Sequence, residues 1–154
     1  MDERKKELIE GFSNYFEDIY HFPPLTSKIY SFLLMDCKRK GITFDEIVEL
    51  FNASKSSVSN SLTYLGQLKH VEYFTKIDSR KRFYRVSPES ILMRLKQIND
   101  NLREEKKLSE KYYTYLKGEI EDEENSTLVK SNIYINHLER AIEHLSETIE
   151  QLKN

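Results

Sequence analysis

The chain has 154 residues, 32% charged and 38% hydrophobic, with a formal net charge of −2. That length suits one domain of ordinary size, or a small one with extended helices, and no apolar run is long enough to span a bilayer. A single cysteine, Cys37, excludes an intramolecular disulfide, and the charged start Met1–Glu7 lacks the apolar core of a secretory signal, so the expected compartment is the cytoplasm.

Taken in chain order, Glu3 to about Tyr20 fits an amphipathic helix with apolar positions at Leu8, Ile9, Phe12, Tyr15, Phe16 and Ile19. Phe22-Pro23-Pro24 breaks it, because proline cannot continue the hydrogen-bond ladder. A second helix is expected from about Leu25 to Arg39, ended by Gly41 in a left-handed cap. Thr43-Phe44-Asp45-Glu46 has the form of a capping box and opens a short helix. Asn52-Ala53 makes a turn, and Ser54 can cap the next helix, Lys55 to Leu65. That helix has a thin apolar stripe, Val58, Leu62 and Leu65. Its other faces carry hydroxyl and amide groups, although Ser, Thr and Asn are poor helix formers. Gly66, near its end, reads as a close-packing or bending point. Val71–Ile77 and Arg82–Val86 are strands flanking a turn at Asp78-Ser79-Arg80-Lys81, so together they form a β-hairpin.

Giving up helix propensity for short polar side chains makes sense where a helix face must approach base edges and phosphates closely. A hairpin tip crowded with Arg80, Lys81 and Arg82 repels itself unless an anion meets it. The net charge hides this arrangement. From Ser54 to Val86 there are seven Lys/Arg against two acids, a net +5, which leaves −7 on the other 121 residues. A basic patch on an acidic body confines attraction to one face. The expected DNA-binding residues are Lys55, Ser56, Ser57, Ser59, Asn60 and Thr63 on the helix, with Arg80, Lys81 and Arg82 on the hairpin tip. Lys76 and Arg85 are further phosphate candidates. Asn60 suits an adenine edge, and Lys55 adds to a helix N-terminus that already favours phosphate.

Pro88 suits the first turn of a long helix reaching about Ile120. An acidic break, Glu121–Ser126, precedes a last helix over about Thr127 to Leu152. In that helix Leu128, Ile135, Ile142 and Ile149 recur every seven residues, with Leu138, Leu145 and Leu152 as companions. β-Branched residues at one core position and Leu at the other favour two-stranded association, so these seven are the expected dimerisation residues. The same stripe could instead pack antiparallel on the long helix of its own chain. The expected division is a DNA-binding domain over 1–87 and a helical dimerisation region over 88–154.

The segment Pro24–Leu34 resembles the start of the winged domain in GbsR-type regulators of the broad MarR-like group, and Ile42–Ile47 resembles their next helix. Ser54-Lys55-Ser56-Ser57-Val58-Ser59-Asn60-Ser61-Leu62 resembles their recognition helix, S-K-G-S-V-S-x-x-L, with Ser56 in the place of the glycine. Arg80-Lys81-Arg82-Phe83-Tyr84 resembles the G-D-R-x-x-Y wing, although Asp78-Ser79-Arg80 departs from that order. The resemblance covers about residues 8 to 90. It implies a mainly α fold: a winged helix-turn-helix with a small β-hairpin wing and long C-terminal dimerisation helices. It also implies a homodimeric transcriptional regulator on double-stranded, pseudo-palindromic DNA.

Some members of that group sense choline or related osmolyte precursors, and no ligand motif matches here residue by residue. An aromatic set, Tyr15, Phe16, Tyr20, Phe22 and Tyr30 with Tyr112, Tyr113 and Tyr115, could line a pocket for a small-molecule effector. Packing of core and interface is the better reading of the same rings. Enzymatic function has little support, since phosphate-binding glycine loops, G-x-S-x-G and paired-cysteine spacings are missing. His137 and His144, two turns apart on one helix, do not make a metal site. No cofactor is expected, and Cys37 reads as a small buried hydrophobe. The rival class is a non-enzymatic adaptor that uses winged-helix and coiled-coil surfaces to bind protein or RNA.

Overall fold

Helix α1 spans Glu3–Tyr20 in the computed structural model, which describes residues 1–36 and 38–154. The reading of Cys37 lies outside the described residues. α1 buries Ile9 and Phe16 and stops where His21 turns left-handed (φ 54°). The Phe22 N–H then donates back to the Phe16 carbonyl at 3.2 Å. Pro24 takes the first position of α2 (Pro24–Leu34), where its missing N–H removes no helical bond.

α2 ends at Leu34, short of the expected Arg39. Continuing it would have carried Lys38-Arg39-Lys40, which offer nothing apolar to bury. Asp36 instead accepts a hydrogen bond from the Gly41 N–H at 2.9 Å, and Arg39 adopts φ 49°. Gly41 does take a left-handed conformation (φ 73°), but it does not cap the helix. A Cβ there would lie 2.7 Å from Phe74 Cε1 and 2.8 Å from Phe83 Cβ, so glycine lets the loop approach those rings.

β1 (Ile42–Thr43) is a strand that periodicity did not announce. It is followed directly by α3 (Phe44–Phe51), with Thr43 as N-cap of a complete capping box. Asn52 ends α3 in the left-handed conformation (φ 46°). Ser54 caps α4 (Lys55–Gln67), accepting from the Ser57 N–H at 3.2 Å. β2 (Val71–Thr75) and β3 (Arg82–Val86) complete a three-stranded antiparallel sheet of order β1-β3-β2. The register pairs Glu72 with Arg85, Phe74 with Phe83 and Thr43 with Phe83.

The core of this unit, Met1–Ser90, gathers Phe16, Phe22, Ile29, Tyr30, Leu33, Ile47, Val58, Leu62, Leu65 and Val71. Phe16 sits 4.8 Å from Tyr30 and 6.0 Å from Phe22 between ring centroids. Of the aromatic set, Phe16, Phe22 and Tyr30 therefore belong to this core, whereas Tyr15, Tyr112 and Tyr115 are exposed. A buried Thr26–Ser61 hydrogen bond of 2.9 Å ties α2 to α4. His70, also buried, accepts through its carbonyl from the Ser87 N–H at 2.9 Å, and its Nδ1 lies 3.2 Å from Ser90 Oγ.

The second unit, Ile91–Asn154, holds nearly all of α5 (Ser90–Glu119) and the whole of α6 (Ser126–Lys153). Pro88 precedes α5 in a turn closed by the Ser90 N–H on the Ser87 carbonyl at 3.0 Å. Asn125 caps α6 through the Thr127 N–H at 2.9 Å. The helices run antiparallel. Asn99 donates to Ser146 Oγ at 3.3 Å, Lys106 pairs with Glu139 at 3.6 Å, and Tyr134 donates to Glu105. Of the heptad residues, Leu128, Ile135, Leu138, Ile142 and Ile149 are buried within the single chain. Leu145 is half-buried and Leu152 is exposed. No helix among the described residues is long and apolar enough to cross a membrane.

Candidate nucleic-acid interface

α4 turns its apolar stripe, Val58, Leu62 and Leu65, fully inward with Ser61 beside it. The opposite face carries Ser56, Asn60, Thr63 and Gln67, all exposed and spaced i, i+4, i+7 and i+11. Lys55, Ser57 and Ser59 flank them, also exposed. All six expected helix residues therefore face solvent. Gln67 is an addition, because α4 runs two residues past the expected Leu65. Its amide can pair with an adenine edge as Asn60 can.

Two clefts border α4. One, about 230 Å³, separates its Ser59 and Thr63 from Tyr73 and Arg82 of the wing. The other, about 460 Å³, separates Ser57, Asn60 and Tyr64 from Pro23 to Thr26 at the start of α2. At the N-terminus, Ser54 Oγ donates to Ser57 Oγ at 2.8 Å and lies 3.2 Å from Ser56 Oγ. This hydroxyl cluster sits at the positive end of the helix dipole.

The wing's cations divide into two groups. Arg85 is held by Glu72 at 2.8 Å and lies 4.6 Å over the Phe74 ring, so a phosphate would have to compete for it. Lys76 lies 3.9 Å over Phe83 and Arg82 lies 4.4 Å over Tyr73. Both folded-back chains remain exposed. Lys55, Arg80 and Lys81 make no ion pair among the described residues. Glu46, in the capping box, has its carboxyl pulled below the usual carboxylate range, first by hydrogen bonds from Thr43 and then by the positive field of Lys81 and Lys76.

The turn lies earlier than expected. Ser79 N–H donates to the Lys76 carbonyl at 3.1 Å, which places Ile77 and Asp78 at the bend and takes Ile77 out of β2. Among the described residues, no group of three or more His, Cys, Asp or Glu is placed to hold a metal ion.

An α-helical unit with a three-stranded sheet in this order is a winged helix-turn-helix. The chain is similar to a crystal structure described as that of a transcriptional regulator, with a TM-score of 0.61 and 16% identity over 97% of this chain and 98% of that one. Weaker likenesses are to a MepR mutant from a multidrug-resistant S. aureus clinical isolate (TM-score 0.44, 15% identity, 97% and 92% covered) and to the regulator SlyA (0.40, 12%, 96% and 92%). The first likeness shows a shared fold. No protein-family model and no curated protein matches the chain.

Proposed function

We propose that this chain is a cytoplasmic, homodimeric, sequence-specific DNA-binding transcriptional regulator of the MarR-like group. The motifs in α4 and the wing favour the GbsR type. α4 enters the major groove with Asn60 and the hydroxyls of Ser56, Ser57, Ser59 and Thr63 toward base edges and phosphates. Lys55, Arg80, Lys81 and Arg82 meet the backbone, and Lys76 and Arg85 are secondary. The observation that carries this reading is the solvent-facing polar side of α4 in one compact unit with Arg80 and Lys81, which make no ion pair among the described residues. A face poor in helix formers and a tip rich in one charge each have a cost that a polyanion offsets.

Dimerisation draws support from apolar side chains left uncovered. Leu8, Tyr15 and Ile19 of α1 are exposed, as are Ile91, Ile98, Leu108, Tyr112 and Tyr115 of α5. A second copy is the natural cover for such stripes. The buried heptad residues of α6 would then brace α5, leaving Leu145 and Leu152 for direct contact.

The test is selection from random-sequence duplex DNA across a salt series. Enrichment of a two-fold pseudo-palindrome with half-sites about 10 bp apart supports the reading. Weak binding with no enriched site refutes it. On the selected operator, replacing both Arg80 and Lys81 by Ala should weaken binding on all sequences and lower the log–log salt slope by roughly 3–4 per dimer.

A further inference from the structure

Ile77 is exposed at 111% of its reference area, and it stands at the bend of the turn closed between Lys76 and Ser79. A β-branched aliphatic residue is a poor choice there. Turns favour Gly, Asn, Asp and Ser, and the side chain buries nothing. Single exposed apolar residues are common on protein surfaces, so exposure alone carries little. The neighbours make the difference. Lys76 is folded back over Phe83 and Arg82 over Tyr73, so these two cations lie along the flanks of the wing. Arg80 and Lys81 follow on the returning side, exposed. The tip thus holds Ile77, with the exposed Asp78 beside it at the bend, between cationic shoulders.

The DNA minor groove has the complementary form, a narrow slot with phosphates along both rims. Its floor is free of donors at A·T pairs, whereas at G·C pairs the guanine N2 amino group projects into it. We infer that Ile77 is a specificity-determining contact that enters the minor groove beside each half-site and selects A·T over G·C pairs there. The inference rests on the DNA-binding reading above. Burying Ile77 against the groove walls gains apolar contact, and a guanine amino group beneath it would be desolvated without a partner. Arg80 and Lys81 meanwhile reach the rims.

The experiment uses the full chain and the selected operator, with each A·T pair flanking the half-sites replaced in turn. Inosine·C keeps the A·T minor-groove surface, whereas diaminopurine·T adds only the minor-groove amino group. At one flanking step the wild type should lose about tenfold in affinity with G·C or diaminopurine·T and keep it with inosine·C. Ile77→Ala should bind the A·T operator about tenfold more weakly, lose that discrimination and keep the wild-type salt slope. An unchanged urea midpoint shows that the variant is folded. If Ile77→Ala matches the wild type on all four duplexes while the Arg80/Lys81 variant loses affinity, the inference is overturned and DNA binding stands. If the wild type enriches no site, both fall together.

Discussion

Replacing Gly41 by Ala tests the packing of the wing against the loop that precedes β1. The added Cβ would meet Phe74 Cε1 at 2.7 Å, Phe83 Cβ at 2.8 Å and Phe74 Cζ at 2.9 Å, and the backbone sits at φ 73°. The left-handed conformation costs an L-residue about 1–2 kcal/mol. Overpacking against the stacked Phe74 and Phe83 rings adds about 1–3 kcal/mol. Together these predict a loss of roughly 2–4 kcal/mol. Urea denaturation followed by circular dichroism reads this as a lower midpoint at unchanged slope. The same substitution at Gly11 and Gly118 serves as the control. Both lie within helices and a Cβ there meets nothing within 4 Å, so Ala should stabilise by about 0.5–1 kcal/mol. Equal effects at Gly41 and Gly11, or a Gly41→Ala loss below about 0.5 kcal/mol, would refute the argument.

Three other outcomes are expected. Thr43→Ala should destabilise by about 1 kcal/mol at neutral pH, measured by urea midpoints, because it removes the N-cap of α3. The folded carboxyl of Glu46 titrates below its unfolded value, so its contribution is complete above the unfolded pKa and fades as pH falls through the folded one. The gap between wild type and Glu46→Gln should accordingly narrow in acid. Leu108→Glu with Tyr112→Glu should shift sedimentation from dimer to monomer while leaving the helical signal intact, and a persisting dimer would reject α5 as part of the interface.

What could be read from the sequence was local. The Thr43–Glu46 box, the Ser54 cap and the Val58, Leu62 and Leu65 stripe depend only on neighbours within a turn or two, and each is found in place. What escaped depends on contacts far along the chain. The left-handed Gly41 was foreseeable, but its reason lies in Phe74 and Phe83. β1 has two residues, too few for a period, and exists because β3 offers an edge. Ile77 has the propensity of a strand residue, yet the last cross-strand pair, Thr75 with Arg82, leaves it in the turn. Arg85 looked free until the register set Glu72 opposite it. The α6 heptad was legible as a stripe, but which surface covers it is not encoded in a period.

Thr43 serves two elements at once. Its backbone pairs with Phe83 in β3, and its N–H and hydroxyl both donate to Glu46 at 2.7 Å, closing the first turn of α3. Thr43, next to the Ile42–Tyr84 pair, is therefore one residue at which the central strand of the wing is joined directly to the first turn of α3. In the language of coordination chemistry, wing and helix form a chelate with a preset bite. The rotational freedom that would align them is surrendered when the chain folds, so under the proposed DNA-binding function a polyanion would meet both arms without that entropic cost. A substitution that loosens this joint would weaken both arms together while touching neither.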